Sequence, residues 1–375
     1  MIKKPEVKIM FLLALFMIGP FSFLVTKSQV GGLAAYSDFQ RRFYIFDHGQ
    51  KKLAEEQLVK SFKVGGNSVA YVDYGDNFKV YENGNIKTLE IGSVRNYVVT
   101  DYLMAYSMTD ILKVYDNGKT KMLSSATKDF AIGDSIIVYY DYYFNSINAY
   151  YRGKIYSKRL RWVGSKISKI QAGPNIAALI TAEDRNFWIF YKGETELINE
   201  FVENVDFKVG MDIVAYMDHN TRTFKAYYKG EIYDVENFQP KSYWMGHGRI
   251  VYIDEVGNFK TFYEGKVATI ASYEPTFYRV RDSMIIYQEL DRFKCFYKEK
   301  THEIAPYLPE KYDFQTNIVA YLDRNRSLQI FKNGESKLLN YGANIMINDF
   351  QLLRDVVVIN TDVNKTIIYY NGQIY

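Results

Sequence analysis

Residues 62–89 read Phe62-Lys-Val-Gly65, Val69-Ala-Tyr71-Val-Asp73, Phe78-Lys-Val-Tyr81, Asn83-Gly84 and Ile86-Lys-Thr-Leu89. Four short apolar or alternating runs are packed into about 35 residues, each bounded by Gly, Asn or Asp. That is the length and punctuation of β-strands. Aromatic and β-branched side chains dominate the runs, as suits a pleated, packed surface.

The unit recurs along the chain. Its turns centre on Gly49, Gly84, Gly118, Gly153, Gly193, Gly230, Gly265, Glu299, Gly334 and Gly372, with steps of 35, 34, 35, 40, 37, 35, 34, 35 and 38 residues. A fixed period of this size means one supersecondary unit stacked many times. Three residues before each turn stands an aromatic: Phe46, Tyr81, Tyr115, Tyr150, Phe190, Tyr227, Phe262, Phe296, Phe331 and Tyr369. Six before it stand Phe43, Phe78, Leu112, Ile147, Phe187, Phe224, Phe259, Phe293, Leu328 and Thr366, nine of the ten large and apolar. The two positions differ by an odd number, so they point to opposite faces of the third strand, and both faces are buried. Asn-Gly recurs at four turns (Asn83-Gly84, Asn117-Gly118, Asn333-Gly334, Asn371-Gly372). Such pairs tolerate the positive φ that primed hairpin turns require. Antiparallel four-stranded units buried on both faces are the blades of a β-propeller. The fold class is all-β, with about ten blades of ~35 residues, in a single ring or in two rings of five. The longer steps flanking Gly193 mark the place for a seam between two rings.

The chain resembles bacterial secreted propeller repeats of the TolB-type and WD-like families. The resemblance rests on second strands such as Ile213-Val-Ala-Tyr216-Met-Asp218, followed by Phe224-Lys-Ala-Tyr-Tyr-Lys-Gly230. It implies a propeller over residues 29–375 and leaves the function open. The Trp-Asp dipeptide of the WD family is absent.

Residues 1–28 read as a signal peptide: Lys3, Lys4 and Lys8 precede an apolar stretch from Ile9 to Val25, and Ser28 ends it. The expected location is exported, periplasmic or extracellular in a bacterial envelope; membrane contact is expected only through an uncleaved leader. Formal net charge is +4, and removal of the leader's net +3 leaves +1. That excludes the strong basic surplus of a nucleic-acid binder. The single cysteine, Cys295, excludes internal disulfides and reads as a buried small residue.

Chemical signatures are sparse. His48, His219, His247 and His302 fall in no metal-ligand spacing, and there is no nucleophile elbow or phosphate loop. No metal or cofactor is expected. The Asp that follows the second strand (Asp38, Asp73, Asp141, Asp218, Asp254, Asp323) reads as a turn acceptor rather than a calcium ligand. Tyr36, Tyr71, Tyr140, Tyr216, Tyr252, Tyr287 and Tyr321 read as second-strand packing with the hydroxyl finding a partner. Two segments break the repeat: Lys158-Arg-Leu-Arg161-Trp162 and Tyr243-Trp244-Met-Gly-His247-Gly-Arg249. Each joins Trp to Arg, the pair enriched at binding hot spots. Arg161, Trp162, Trp244, His247 and Arg249 are therefore the candidate binding residues. The expected function is a non-enzymatic, exported scaffold that recognises an envelope protein or a glycan. Its rivals are a carbohydrate-active enzyme with paired carboxylates in the channel and a self-associating structural protein.

Overall fold

The structure is a computed structural model and describes residues 30–92, 94–161, 166–203, 205–218, 220–339 and 345–375. The signal-peptide expectation for residues 1–28, and the candidate Trp162, lie outside the described residues. Within them, 39 strands form ten antiparallel meanders in sequence order. Blade 1 shows three strands, Leu33–Ser37, Phe43–Asp47 and Gln50–Glu55. Blades 2 to 10 have four strands each and begin at Ser61, Asn96, Phe130, Ile167, Phe207, Ser242, Tyr278, Tyr312 and Ile347.

The two aromatic positions of the third strand face different neighbours. Phe78 of blade 2 packs between Tyr97 and Tyr106 of blade 3, each ring centroid 5.0 Å away. Phe187 of blade 5 meets Phe207 and Tyr216 of blade 6 at 5.2 Å. The other position looks back: Tyr81 of blade 2 donates its hydroxyl to Asp47 of blade 1 at 2.6 Å, and Tyr115 of blade 3 to Glu82 of blade 2 at 2.7 Å. Each such ring pair adds roughly 0.5–1.5 kcal/mol beyond its area burial. Repetition turns these pairs into one apolar cluster at every junction between neighbouring blades.

The ten blades form a single ring, not two. The Phe187 cluster crosses the position of the expected seam. Blade 10 closes on blade 1 through Ala34, Tyr36, Phe46, Val356, Val358 and Ile368. Phe46 meets the Tyr370 and Tyr375 rings at 5.8 and 5.2 Å, and Gly32 N–H donates to Asp355 Oδ1 at 2.8 Å. Closure removes the exposed sheet faces that an open array would leave.

The hairpin turns between third and fourth strands are left-handed at both central residues: φ is +49° and +78° at Asn83-Gly84, and +50° and +58° at Lys298-Glu299. The register also corrects the tyrosine series. In blade 4 the position belongs to Tyr139, not Tyr140, and blade 3 carries Tyr106 there. Tyr71, Tyr106 and Tyr252 donate to Glu55, Glu90 and Glu236 on the outer strand of the preceding blade, at 2.9, 2.7 and 2.7 Å.

Candidate binding site at the ring axis

In blades 2 to 10 the first strand is the innermost, since first strands of neighbouring blades touch one another. It joins the second strand through a two-residue turn, and these turns crowd the axis. Where they crowd most, the residue before the turn is glycine. A Cβ on Gly133 would lie 1.7 Å from the Gly173 carbonyl oxygen, and one on Gly173 would lie 2.0 Å from that of Gly210. Only a bare backbone fits at that approach.

The turns are laced across blades. Asn175 Nδ2 donates to Asp212 Oδ1 at 2.7 Å, and Asp101 N–H donates to Asp134 Oδ1 at 3.1 Å. Arg354 of blade 10 pairs with Asp101 of blade 3, past the turns of blades 1 and 2, which are Gly31-Gly32 and Gly66-Asn67. His247 of blade 7 holds Nε2 2.9 Å from Asp282 Oδ1 of blade 8. Asp282 Oδ2 accepts Thr316 Oγ1–H at 2.6 Å and Thr316 N–H at 3.1 Å.

This arrangement sets the charges. Burial pulls the His247 imidazole down, but the carboxylates of Asp282, Asp134 and Asp212 outweigh it and raise it. Burial pushes Asp282 up, and its bonds to His247 and Thr316 outweigh that and lower it. Asp134, on blade 4, accepts the Asp101 backbone N–H rather than a histidine or threonine side chain. Burial raises it to about 6, assisted by Asp282 and opposed by His247. The two carboxyls are therefore driven apart by their surroundings.

Trp244 stands on the first strand of blade 7, Ser242–Gly246, opposite Val251. It is 40% exposed while its neighbour Tyr243 is buried. The same register position carries Lys208 in blade 6, opposite Ala215, and Arg279 in blade 8, opposite Ile286. Lys208 Nζ lies 5.0 Å and Arg279 Cζ 5.4 Å from the Trp244 ring. The indole is thus bracketed by two cations from adjacent blades. Lys208 also donates to the Tyr243 carbonyl at 2.6 Å, and burial, with help from Lys169 and against Asp206, lowers its ammonium. Similar cations recur along the inner strands, each over the next blade's ring: Lys63 over Tyr97 at 4.9 Å, Lys169 over Phe207 at 4.4 Å, Arg281 over Phe314 at 5.4 Å and Lys311 over Phe350 at 5.2 Å.

The candidate residues therefore divide. Trp244 and His247 lie at the axis. Arg249 does not share their surface: it is 3% exposed, lies over the Tyr263 ring at 4.4 Å and pairs with Glu299. Glu299 is the residue that replaced a turn glycine, so the irregular turn and the buried arginine are two halves of one contact. Nε and Nη1 of Arg249 have no hydrogen-bond partner among the described residues. Arg161 is exposed at the outer end of blade 4, away from the axis. The sequence reading missed Lys208, Arg279, Asp134 and Asp282. Reading down the repeat at the positions of Trp244 and His247 would have found them.

The recurrent Asp after the second strand is occupied by its own turn. Asp73 accepts Asn77 N–H at 2.8 Å, and Asp254 accepts Asn258 N–H at 2.7 Å. Among the described residues no group of three or more His, Cys, Asp or Glu could hold a metal, and no helix is long and apolar enough to cross a membrane. Cys295 is fully buried, and burial pushes its thiol up to about 12.

Residues 27–375 match the family model described as a 10-bladed beta propeller domain. A search of the curated proteins finds no match. Among solved structures, the CRINKLY WD40 ectodomain of the Arabidopsis thaliana receptor kinase ACR4 is similar at TM-score 0.37 and 9% identity, over 68% of this chain and 99% of that one. The computationally designed Ika8 protein is similar at TM-score 0.36 and 15% identity, over 74% and 96%. Prp20p from Saccharomyces cerevisiae is similar at TM-score 0.33 and 10% identity, over 58% and 75%.

Proposed function

The chain belongs to the 10-bladed beta propeller domain family, and from that premise we propose that it is an exported, non-enzymatic scaffold that recognises a protein or glycan partner in the cell envelope through the inner wall of blades 6 to 8. The observation that carries the reading is Trp244, an aromatic left 40% exposed on an inner strand, where Phe207, Tyr243 and Tyr278 of this and the neighbouring inner strands are buried, with Lys208 and Arg279 on either side. A flat apolar face between two cations suits a ligand with an apolar surface and negative charge. The basic, apolar leader at residues 1–28 supports export. The test is capture from envelope fractions and on a glycan array, comparing the wild type with Trp244→Ala. We expect a partner held by the wild type and lost from the variant at unchanged melting temperature. Capture by neither protein, or equally by both, rejects the reading. N-terminal mass determination after expression with the leader tests export.

A second reading has one observation in its favour. Asp134 and Asp282 interact across the axis with their pKa values driven apart, the pattern of an acid and a base sharing a site. It predicts hydrolysis of a glycan substrate that falls away above pH 6 and is abolished by Asp134→Asn. An Asp134→Asn protein as active as the wild type rejects it.

A further inference from the structure

A lapse in the repeat opens a cleft on the other face of the ring. In blades 2, 3, 6, 7 and 8 the second apolar position of the third strand is followed by lysine: Lys79, Lys113, Lys225, Lys260 and Lys294. These lysines pair with acids that flank the junction, as Lys260 does with Glu236 at 2.8 Å and Asp254 at 2.9 Å. In blade 4 the position is Asn148, and where the other blades present a glutamate to it, blade 3 has Ser124. Asn148 is too short to fill the space, and a cleft of about 550 Å³ lies there. Asp141 keeps its place without the lysine: Ser124 Oγ–H donates to it at 2.6 Å, and the Tyr143 and Phe144 N–H groups at 3.0 Å.

The same turn puts two rings into solvent. Tyr143 is 78% and Phe144 65% exposed, and they meet edge-on at 5.0 Å. Arg159, from the outer strand Lys154–Arg159, lines the cleft and pairs with no acid among the described residues. Buried Asn148 and exposed Ser157 supply the polar floor, Ser157 Oγ–H donating to Asn148 Oδ1 at 2.6 Å. The turn between second and third strands lies at the opposite end of the blade from the turn that carries His247, so the cleft is separate from the axial site.

We propose that this cleft binds a saccharide carrying a carboxylate, a uronate-type sugar. The C–H face of the sugar stacks on Tyr143, its hydroxyls meet Asn148 and Ser157, and its carboxylate docks on the planar fork of Arg159. The volume lies within the range of small-ligand clefts. The inference rests on reading the chain as a binding scaffold, but not on the axial wall.

Calorimetric titration with tetramers of galacturonate and mannuronate, and with neutral galactose and mannose tetramers, tests it. The wild type is expected to bind a uronate tetramer saturably and the neutral ones at least about tenfold more weakly, the worth of a hydrogen-bonded charge. Asn148→Lys refills the cleft with the residue the repeat carries elsewhere, opposite an Asp141 already in place, so its melting temperature should hold while binding is lost. Arg159→Gln should weaken uronate binding about tenfold or more. Trp244→Ala should leave it unchanged, which separates this site from the axial one. The proposal is overturned if the wild type binds no uronate, if Asn148→Lys binds as well as the wild type, or if the neutral tetramers bind equally and Arg159→Gln changes nothing.

Discussion

At the junction of blades 6 and 7, Tyr252 is fully buried and donates to Glu236, which also holds Lys260, which in turn holds Asp254. At the junction of blades 3 and 4 the backbone register is the same, but Tyr139 donates to the Leu123 carbonyl, and neither Glu nor Lys is present. The first junction is closed by a saturated polar chain. The second is open, and it is there that two aromatic rings and an arginine with no acid partner among the described residues reach solvent. The repeat's polar chains close the ring; at this junction, where they lapse, side chains are left in solvent. The axis teaches the same lesson, since Trp244 stands where blade 6 places Lys208 and blade 8 places Arg279.

This contrast presumes that both junctions share one geometry, set by the glycines at the axis. Gly173→Val attacks that premise and carries the largest expected effect. Its Cβ would meet the Gly210 carbonyl at 2.0 Å, so a loss on the order of 4 kcal/mol or failure to fold is expected. Gly153→Ala, at a rim turn with φ +81° and nothing within 4 Å, should cost only about 1 kcal/mol. Urea unfolding compares them, and equal losses would mean that the axis does not set the ring.

Glu299→Gly restores the turn's usual residue but strips the buried Arg249 of its acid. We expect a net loss of roughly 2–3 kcal/mol, reversed when Arg249→Met is added, because an apolar side chain can replace a buried pair that a lone charge cannot. A stabilised single variant would show the turn strain to be the larger cost.

Copying the open junction into the closed one is the next step down. Glu236→Ser, which places there the residue blade 3 carries, removes the acceptor of the buried Tyr252 hydroxyl and should cost about 1–3 kcal/mol. Thermal melts would show the contrast to be decorative if the loss were negligible.

The smallest effect is a pH dependence. Bonds from Asn258 and Lys260 outweigh burial and hold Asp254 at about 2, below its ordinary value near 4. Its contribution is therefore present above pH 4 and lost as pH falls through about 2. Asp254→Asn should be less stable than the wild type at pH 7, and the gap should close toward pH 2. A gap that persists into acid would assign the role of Asp254 to packing.

Much of this was legible in the chain. The third-strand aromatics Phe78 and Tyr81 were assigned to opposite faces by their odd spacing, and they do face different blades. Trp244 and His247 stood out in a segment that departs from the repeat and joins Trp to Arg, and Glu299 because it fills a column of turn glycines. Their partners did not, because Lys208 and Arg279 lie one repeat away on either side of Trp244, and Glu299 lies 50 residues from Arg249. Such contacts exist only once blades are wedged side by side. The tyrosine series slipped by one residue in blade 4, where Tyr139 and Tyr140 are adjacent and only pairing with the third strand tells them apart.

By itself, the sequence determined the unit: its strands, its primed turns and the burial of both faces, because period-two alternation and positive-φ turn residues are local properties of the chain. Only the tertiary structure decided that ten such units close into one ring, since two rings of five would need the same local pattern. It also decided which irregular side chains meet, which are sealed in and which stay wet, because these depend on contacts between blades that adjoin in space, including the first and the last.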